Sequence, residues 1–268
     1  MEKSGLSFKK GCGIGCLVVF LLGLLVFGGA TVGLNCHYGR AYEKRQLLEE
    51  TFGDRQNFNP GAGPVVPPED MERFLAVRRA LRDMCLQFTL NNDQILGFDR
   101  FDGVEEVPKK VIMMQGLRSS MAMFGAAKGL GDFALARNDA LLGQEMGFAE
   151  YTWIYVMTFY AGLGREPVLG MDENRKGWPS TATSDAVLAM MARRAAAVEG
   201  TAEEDTWRHE IEIMEADPGR APFADGAPAF ILEVIEPVRS ELESLWCADT
   251  DALELLKIKE HGAGYEDG

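Results

Sequence analysis

Histidine is scarce, with three residues in 268. His37 ends an apolar run, His261 lies near the C-terminal end, and only His209 falls within a helical pattern. A Ser-His-Asp hydrolase needs a nucleophile, an imidazole base and an orienting group, and the chain has no G-x-S-x-G, so that chemistry is disfavoured. "HEIEI" at 209–213 begins like a zinc-protease H-E-x-x-H, but its fifth position is Ile213. With the second imidazole missing there is no zinc pair, and His209 reads as a solvated helix residue. Asp172, Asn174 and Gly177 match calcium-loop positions one, three and six, yet Lys176 fills the fifth and Thr183 the twelfth. A cation there would meet a positive charge and lack its bidentate carboxylate. No metal or cofactor is expected.

Strand patterning is also missing. No segment alternates apolar and polar residues, which points to an all-α fold. Five cysteines are too few for a disulfide scaffold in a chain of this length. Cys12 and Cys16 sit in the apolar run and Cys36 just after it, while Cys85 and Cys247 each fall in a helical pattern. The last two read as separate buried thiols, with a Cys85–Cys247 bridge the less expected arrangement. No acidic block is long enough to form a disordered tail, apart from the short "GAGYEDG" end.

What the chain does contain is a long apolar run near its start, "GCGIGCLVVFLLGLLVFGGATVGL". Gly11, Gly13 and Gly15 resemble a phosphate-cradling loop, but no strand has room before them and no polar helix follows. From Gly11 to Leu34 there are 24 uncharged residues. As a helix they would cover about 36 Å, enough for a hydrocarbon core of ~30 Å. A signal peptide cleaved after Ala30 is the rival, with Lys9-Lys10 as its basic region and Gly28-Gly29-Ala30 as its small residues. Hydrophobicity continues past that site through Leu34, which favours a retained transmembrane helix. Lipidation at Cys36 is weaker, since Asn35 is a poor neighbour. Gly11 with Gly15, and Gly29 with Gly33, make the G-x-x-x-G spacing of helix packing in lipid, although the bulky "LVVFLL" between them interrupts a continuous stripe.

Charge divides the chain. Up to Arg45 there are six Lys/Arg and two Asp/Glu, which leaves 21 basic and 39 acidic residues, a balance of −18, beyond it. Such a domain repels phosphate backbones, so nucleic-acid binding is disfavoured. The Lys9-Lys10 pair abuts the apolar run more closely than Arg40 does on its other side, which places the N-terminus in the cytoplasm and the domain outside it.

The organisation expected is a cytoplasmic tail at 1–10, a transmembrane helix at 11–35, and a juxtamembrane helix with a Pro/Gly linker at 36–68. An acidic all-helical domain at 69–260 and a flexible tail at 261–268 follow. Tyr38 is expected at the headgroup level, and "GDRQNFNPGAGPVVPP" as a tether. Phe74, Val77, Leu81, Met84 and Phe88 mark one face of a helix over 69–90, ended by "NNDQILGFDRFDG". Further helices are expected over 108–130 and 132–146. The aromatic "FAEYTWIYVMTFYAGLG" is too short to cross a membrane and reads as a buried core helix. Thr201 with Glu204 makes a capping box, Pro228 suits a first helical turn, Pro237 should kink the helix that follows near Glu233, and a last short helix spans 251–259.

One polar constellation remains. Arg78, Arg79 and Arg82 lie on the first domain helix, and Glu150 opens the aromatic one. Arg78 flanks the apolar face, so Arg78 and Glu150 form a candidate pair; the plainer account is a solvated flank and a helix-start carboxylate. "ERFLAVRRAL" at 72–81, "EYTWIY" at 150–155 and the helix ending in "ELESLW" resemble an uncharacterised group of all-helical bacterial envelope proteins with an N-terminal signal or anchor. That resemblance implies an envelope location without implying an activity.

The expectation is a single-pass membrane protein whose domain acts by binding a protein partner or by homo-oligomeric assembly. The alternatives are a periplasmic carrier of an apolar ligand, lined by some of the thirteen methionines, or an enzyme with a polar pocket at Arg78 and Glu150. A closed core favours assembly, a large apolar cavity the carrier, and converging accessible charges the enzyme.

Overall fold

The computed structural model describes residues 38–96, 129–167, 178 and 180–256. The helix expected at 11–35 lies outside these residues, and with it the packing positions Gly11, Gly15, Gly29 and Gly33. Nearly all of the helix expected at 108–130 and the tail at 261–268 also lie outside them. Among the described residues there is no strand, and no helix is long and apolar enough to cross a membrane.

Nine helices are described. They are α1 (38–52), α2 (Pro68–Leu96), α3 (129–143), α4 (Phe148–Tyr155), α5 (Thr181–Ala197), α6 (Ala202–Ala216), α7 (Ala229–Ile235), α8 (Arg239–Leu245) and α9 (Asp251–Glu254). The expected apolar stripe of α2 is buried at Phe74, Val77, Leu81 and Phe88. The helix continues six residues past the expected end, because "NNDQIL" holds neither Gly nor Pro and the first breaker is Gly97. Thr201 caps α6 by accepting from the Glu204 N–H, while the Glu204 carboxylate reaches back to the Gly200 N–H rather than to Thr201 itself. Pro237 splits the expected helix into α7 and α8 around a 3-10 turn at Glu236–Val238. It cannot donate to Glu233, so the break falls at the proline and not one turn earlier.

α4 lies at the centre. Its residues are buried on every side except at Glu150, and it continues without a break as a π-helix over Val156–Gly162. A helix hydrophobic all round belongs inside a core. The Leu163 N–H bonds five residues back to the Thr158 carbonyl at 2.9 Å. Thr158 Oγ1 donates to the Ile154 carbonyl at 2.7 Å and the Tyr155 carbonyl at 3.2 Å, a local competition for backbone acceptors at the point where the helix widens.

The tether expected within 36–68 is instead a docked strap. Val65 and Val66 are buried. Arg193 donates to the Phe58 carbonyl at 3.0 Å, Arg194 to the Gly61 and Gly63 carbonyls at 2.7 Å each, and Trp153 Nε1 to the Val65 carbonyl at 2.8 Å. Proline and glycine mark irregular backbone, but three donors from the body fix this one in place. α1 also belongs to the body. Tyr38, expected at the headgroup level, is buried in a small cluster with Ala41 and Ala134, and Asn138 donates to the Ala41 carbonyl at 2.9 Å.

The candidate polar centre between the central helix and the C-terminal segment

Three tyrosines of the central helix line up because of the π turn. Tyr151 and Tyr155 are four apart, as α-helical geometry requires for a shared face. Tyr160 follows five later and would stand about 140° away on a straight α-helix. The wider turn returns it to the stripe. Tyr155 donates to Asp251 Oδ1 at 2.7 Å, and Tyr160 lies 3.0 and 3.1 Å from the two oxygens of the same carboxylate. Tyr151 donates to Glu254 Oε2 at 2.6 Å.

Both carboxylates belong to α9, where a spacing of three sets Asp251 and Glu254 on one side of a single turn. Arg78 donates to Glu254 Oε1, to the Tyr151 phenol oxygen at 3.2 Å and to the Leu245 carbonyl at 2.7 Å. Its guanidinium lies 5.4 Å from the ring centres of both Tyr155 and Phe159. Two more arginines hold the same C-terminal segment by its backbone. Arg137 donates to the carbonyls of Leu253, Glu254 and Leu256, and Arg55 to that of Leu255 at 2.9 Å. A short helix exposes unpaired carbonyls at its end, and these cations satisfy them.

The side chains of Arg78, the three tyrosines, Asp251 and Glu254 are 0–2 % exposed. Burial pushes all three phenols up, and the neighbouring carboxylates push them further, Glu254 acting on Tyr151 and Asp251 on Tyr155 and Tyr160. Burial works to lower the Arg78 guanidinium, but Glu254 outweighs it and the net shift is upward. The phenols therefore stay protonated as hydrogen-bond donors and Arg78 stays charged. Chemistry on a substrate needs access as well as perturbed groups, and this centre is sealed.

Glu150 goes elsewhere, so the expected pair of Arg78 and Glu150 does not form. Arg73 lies between Glu150 and Asp70, with its Nη2 at 2.6 Å from each, and donates through Nη1 to the Glu145 carbonyl at 2.7 Å. Glu145 ends α3 in the left-handed region at φ 51°, and its N–H and that of Met146 bond back to Leu142 and Leu141. That is a glycine-type helix stop made by a glutamate, with Arg73 on the freed carbonyl. The two candidates were separated because α2 shows successive turns to different ends of the central helix, Arg73 to its head and Arg78 to its middle. Burial raises the Glu150 carboxyl, and Arg73 opposes that in part.

Glu150 and Asp70 also line a surface cleft of about 150 Å³ with Phe58, Pro60, Trp153 and Ile154. Small-molecule sites run to roughly 300–1,000 Å³. Of the other candidates, Arg79 pairs with Glu241 at 2.6 Å in an exposed contact, while Arg82 and His209 are exposed. Among the described residues no group of three or more His, Cys, Asp or Glu could hold a metal ion.

Cys85 and Cys247, expected as separate thiols, form a disulfide with Cα atoms 6.1 Å apart. Their helical patterns suggested independent burial, but Cys247 falls just after α8, where the chain turns back across α2. The sequence reading also missed Asp251, Glu254 and Arg137. A signal was present for Glu254, the one acid inside the apolar "ALELL", but not for Arg137, which is followed by Asn138 and Asp139. Comparison with known proteins adds no relative, since no family model, curated protein or solved structure matches the chain.

Proposed function

We propose that this chain is a single-pass membrane protein of the bacterial envelope, with an all-helical domain outside the cytoplasm that acts by binding a protein partner or by assembling with itself. The observation that carries the reading is the Cys85–Cys247 disulfide, since structural disulfides persist in oxidising compartments and are rare in the cytosol. The 24-residue uncharged run supports the anchor, and the envelope assignment follows from the resemblance of "ERFLAVRRAL", "EYTWIY" and "ELESLW" to helical envelope proteins. Binding or assembly is favoured over the alternatives by how the interior is used. Met146, Met157, Met190, Met191 and Met214 are all 0 % exposed within the packed core, which supports space-filling over ligand lining. The polar centre is sealed, which speaks against an enzyme.

Compartment and assembly are tested together in intact cells. Free thiols are trapped by alkylation, surface proteins are cross-linked, and the chain is purified from membranes. The expected result is an unalkylated Cys85–Cys247 peptide pair and a cross-linked species larger than one chain. Alkylated Cys85 and Cys247 would overturn the location, and a monomer alone would overturn the assembly reading.

A further inference from the structure

We propose that the first turn of α1, with Arg40 exposed on it, is held at the headgroup level of the bilayer, so that the domain rides on the membrane in one orientation. The inference rests on the single-pass reading above. The chain has little slack at this point: α1 starts at residue 38, four residues after Leu34 ends the uncharged run. Four fully extended steps reach at most about 14 Å. A short connection would not orient the domain if α1 were hinged to it, but α1 is fastened along its length. Ala41 accepts from Asn138 at 2.9 Å, Lys44 pairs with Asp139 at 3.0 Å, Leu48 is buried in the main core, and the Phe52 side chain lies against Gly147. The strap after α1 is fixed by Arg193, Arg194 and Trp153.

Charge selects the same end. Within 38–52, Arg40, Lys44 and Arg45 balance Glu43, Glu49 and Glu50. On α6, Glu204, Asp205, Glu212 and Glu215 stand against Arg208, while Glu203 and buried Glu210 are paired with Arg194 and Arg220. An anionic lipid surface repels the second kind of face and tolerates the first. The short connection and the charge of α1 hold the domain to the bilayer in the same way on either side of the membrane.

The test uses the full chain in vesicles of phosphatidylcholine and phosphatidylglycerol that contain a small fraction of headgroup-nitroxide lipid. A fluorescent amino acid replaces Arg40 in one sample and exposed Asp205 of α6 in another. Quenching several-fold stronger at position 40 than at 205 is expected. Equal quenching at the two positions, in a chain that resists alkaline carbonate extraction, would overturn the orientation while leaving the anchor intact. A chain that carbonate extracts would overturn the single-pass reading itself.

Discussion

Arg78 shows what a buried charge requires. Taking a guanidinium and a carboxylate out of water costs several kcal/mol each, and the cost is offset only when further hydrogen bonds complete the pair. Glu254, Tyr151 and the Leu245 carbonyl supply them. Removing one partner strands the other, so Arg78→Met and Glu254→Gln should each lose about 3–5 kcal/mol, with the double variant losing clearly less than the sum. Chemical denaturation of the four proteins in a double-mutant cycle measures this; strict additivity would refute the coupling. Arg78→Met combined with Glu150→Gln should be additive. The stripe of tyrosines adds a pH signature. Their folded pKa values lie above the ordinary 10, so below that value folded and unfolded chains bind the same phenolic protons. As pH rises past 10 the unfolded chain releases them and the folded chain does not. Stability should therefore fall, by about 1.4 kcal/mol per phenol for each pH unit, or about 4 kcal/mol for three. Tyrosinate absorbance should lag on Tyr151, Tyr155 and Tyr160 until the protein unfolds cooperatively. Arg78 lies beside an apolar stripe, which allowed an inward turn but left a solvated flank as the plainer account; its partner was not legible either, because Glu254 lies 176 residues away and no periodicity links them.

Helices were the most legible elements, since each carries its own spacing of apolar residues and its own caps. The π turn was not. Nothing in "VMTFYAG" distinguishes a wide turn from an α-helix until Tyr155 and Tyr160 are required to meet one carboxylate. Gly162 closes that turn against α7, and a Cβ placed there would stand 2.0 Å from Ile235 Cδ1 and 3.1 Å from the Met157 carbonyl oxygen. Gly162→Ala should lose about 1–3 kcal/mol by overpacking. Ile235→Val, which removes the nearest atom, should return part of the loss when combined with it. Thermal melts of both variants and their combination decide this, and a neutral Gly162→Ala would show that the two helices can slide apart. The strap misled for a different reason. Its composition is that of a linker, and its fixed position comes from donors on α4 and α5, which no local pattern can announce.

At the scale of the molecule, the cross-link joins residues 162 apart. In the chain-entropy account a loop of that size stabilises by about 5 kcal/mol, and natural bridges commonly contribute about 2–5 kcal/mol. Cys85→Ser with Cys247→Ser should lower the denaturation midpoint by the corresponding amount, read by urea titration, while the Arg78–Glu254 pair keeps the segment seated. Fold class and helix spacing were readable because they are local; the disulfide and the carboxylate seats were not, because they join distant parts of the chain. That separation bears on biosynthesis. Arg55, Arg78, Arg137, the three tyrosines and Cys85 all find partners between residues 245 and 256. A nascent chain therefore lacks the native partners of Arg55, Arg78, Arg137 and the three tyrosines through most of its synthesis. Packing can be completed only after residue 256 has emerged, so the domain should close late and need a holding chaperone until then.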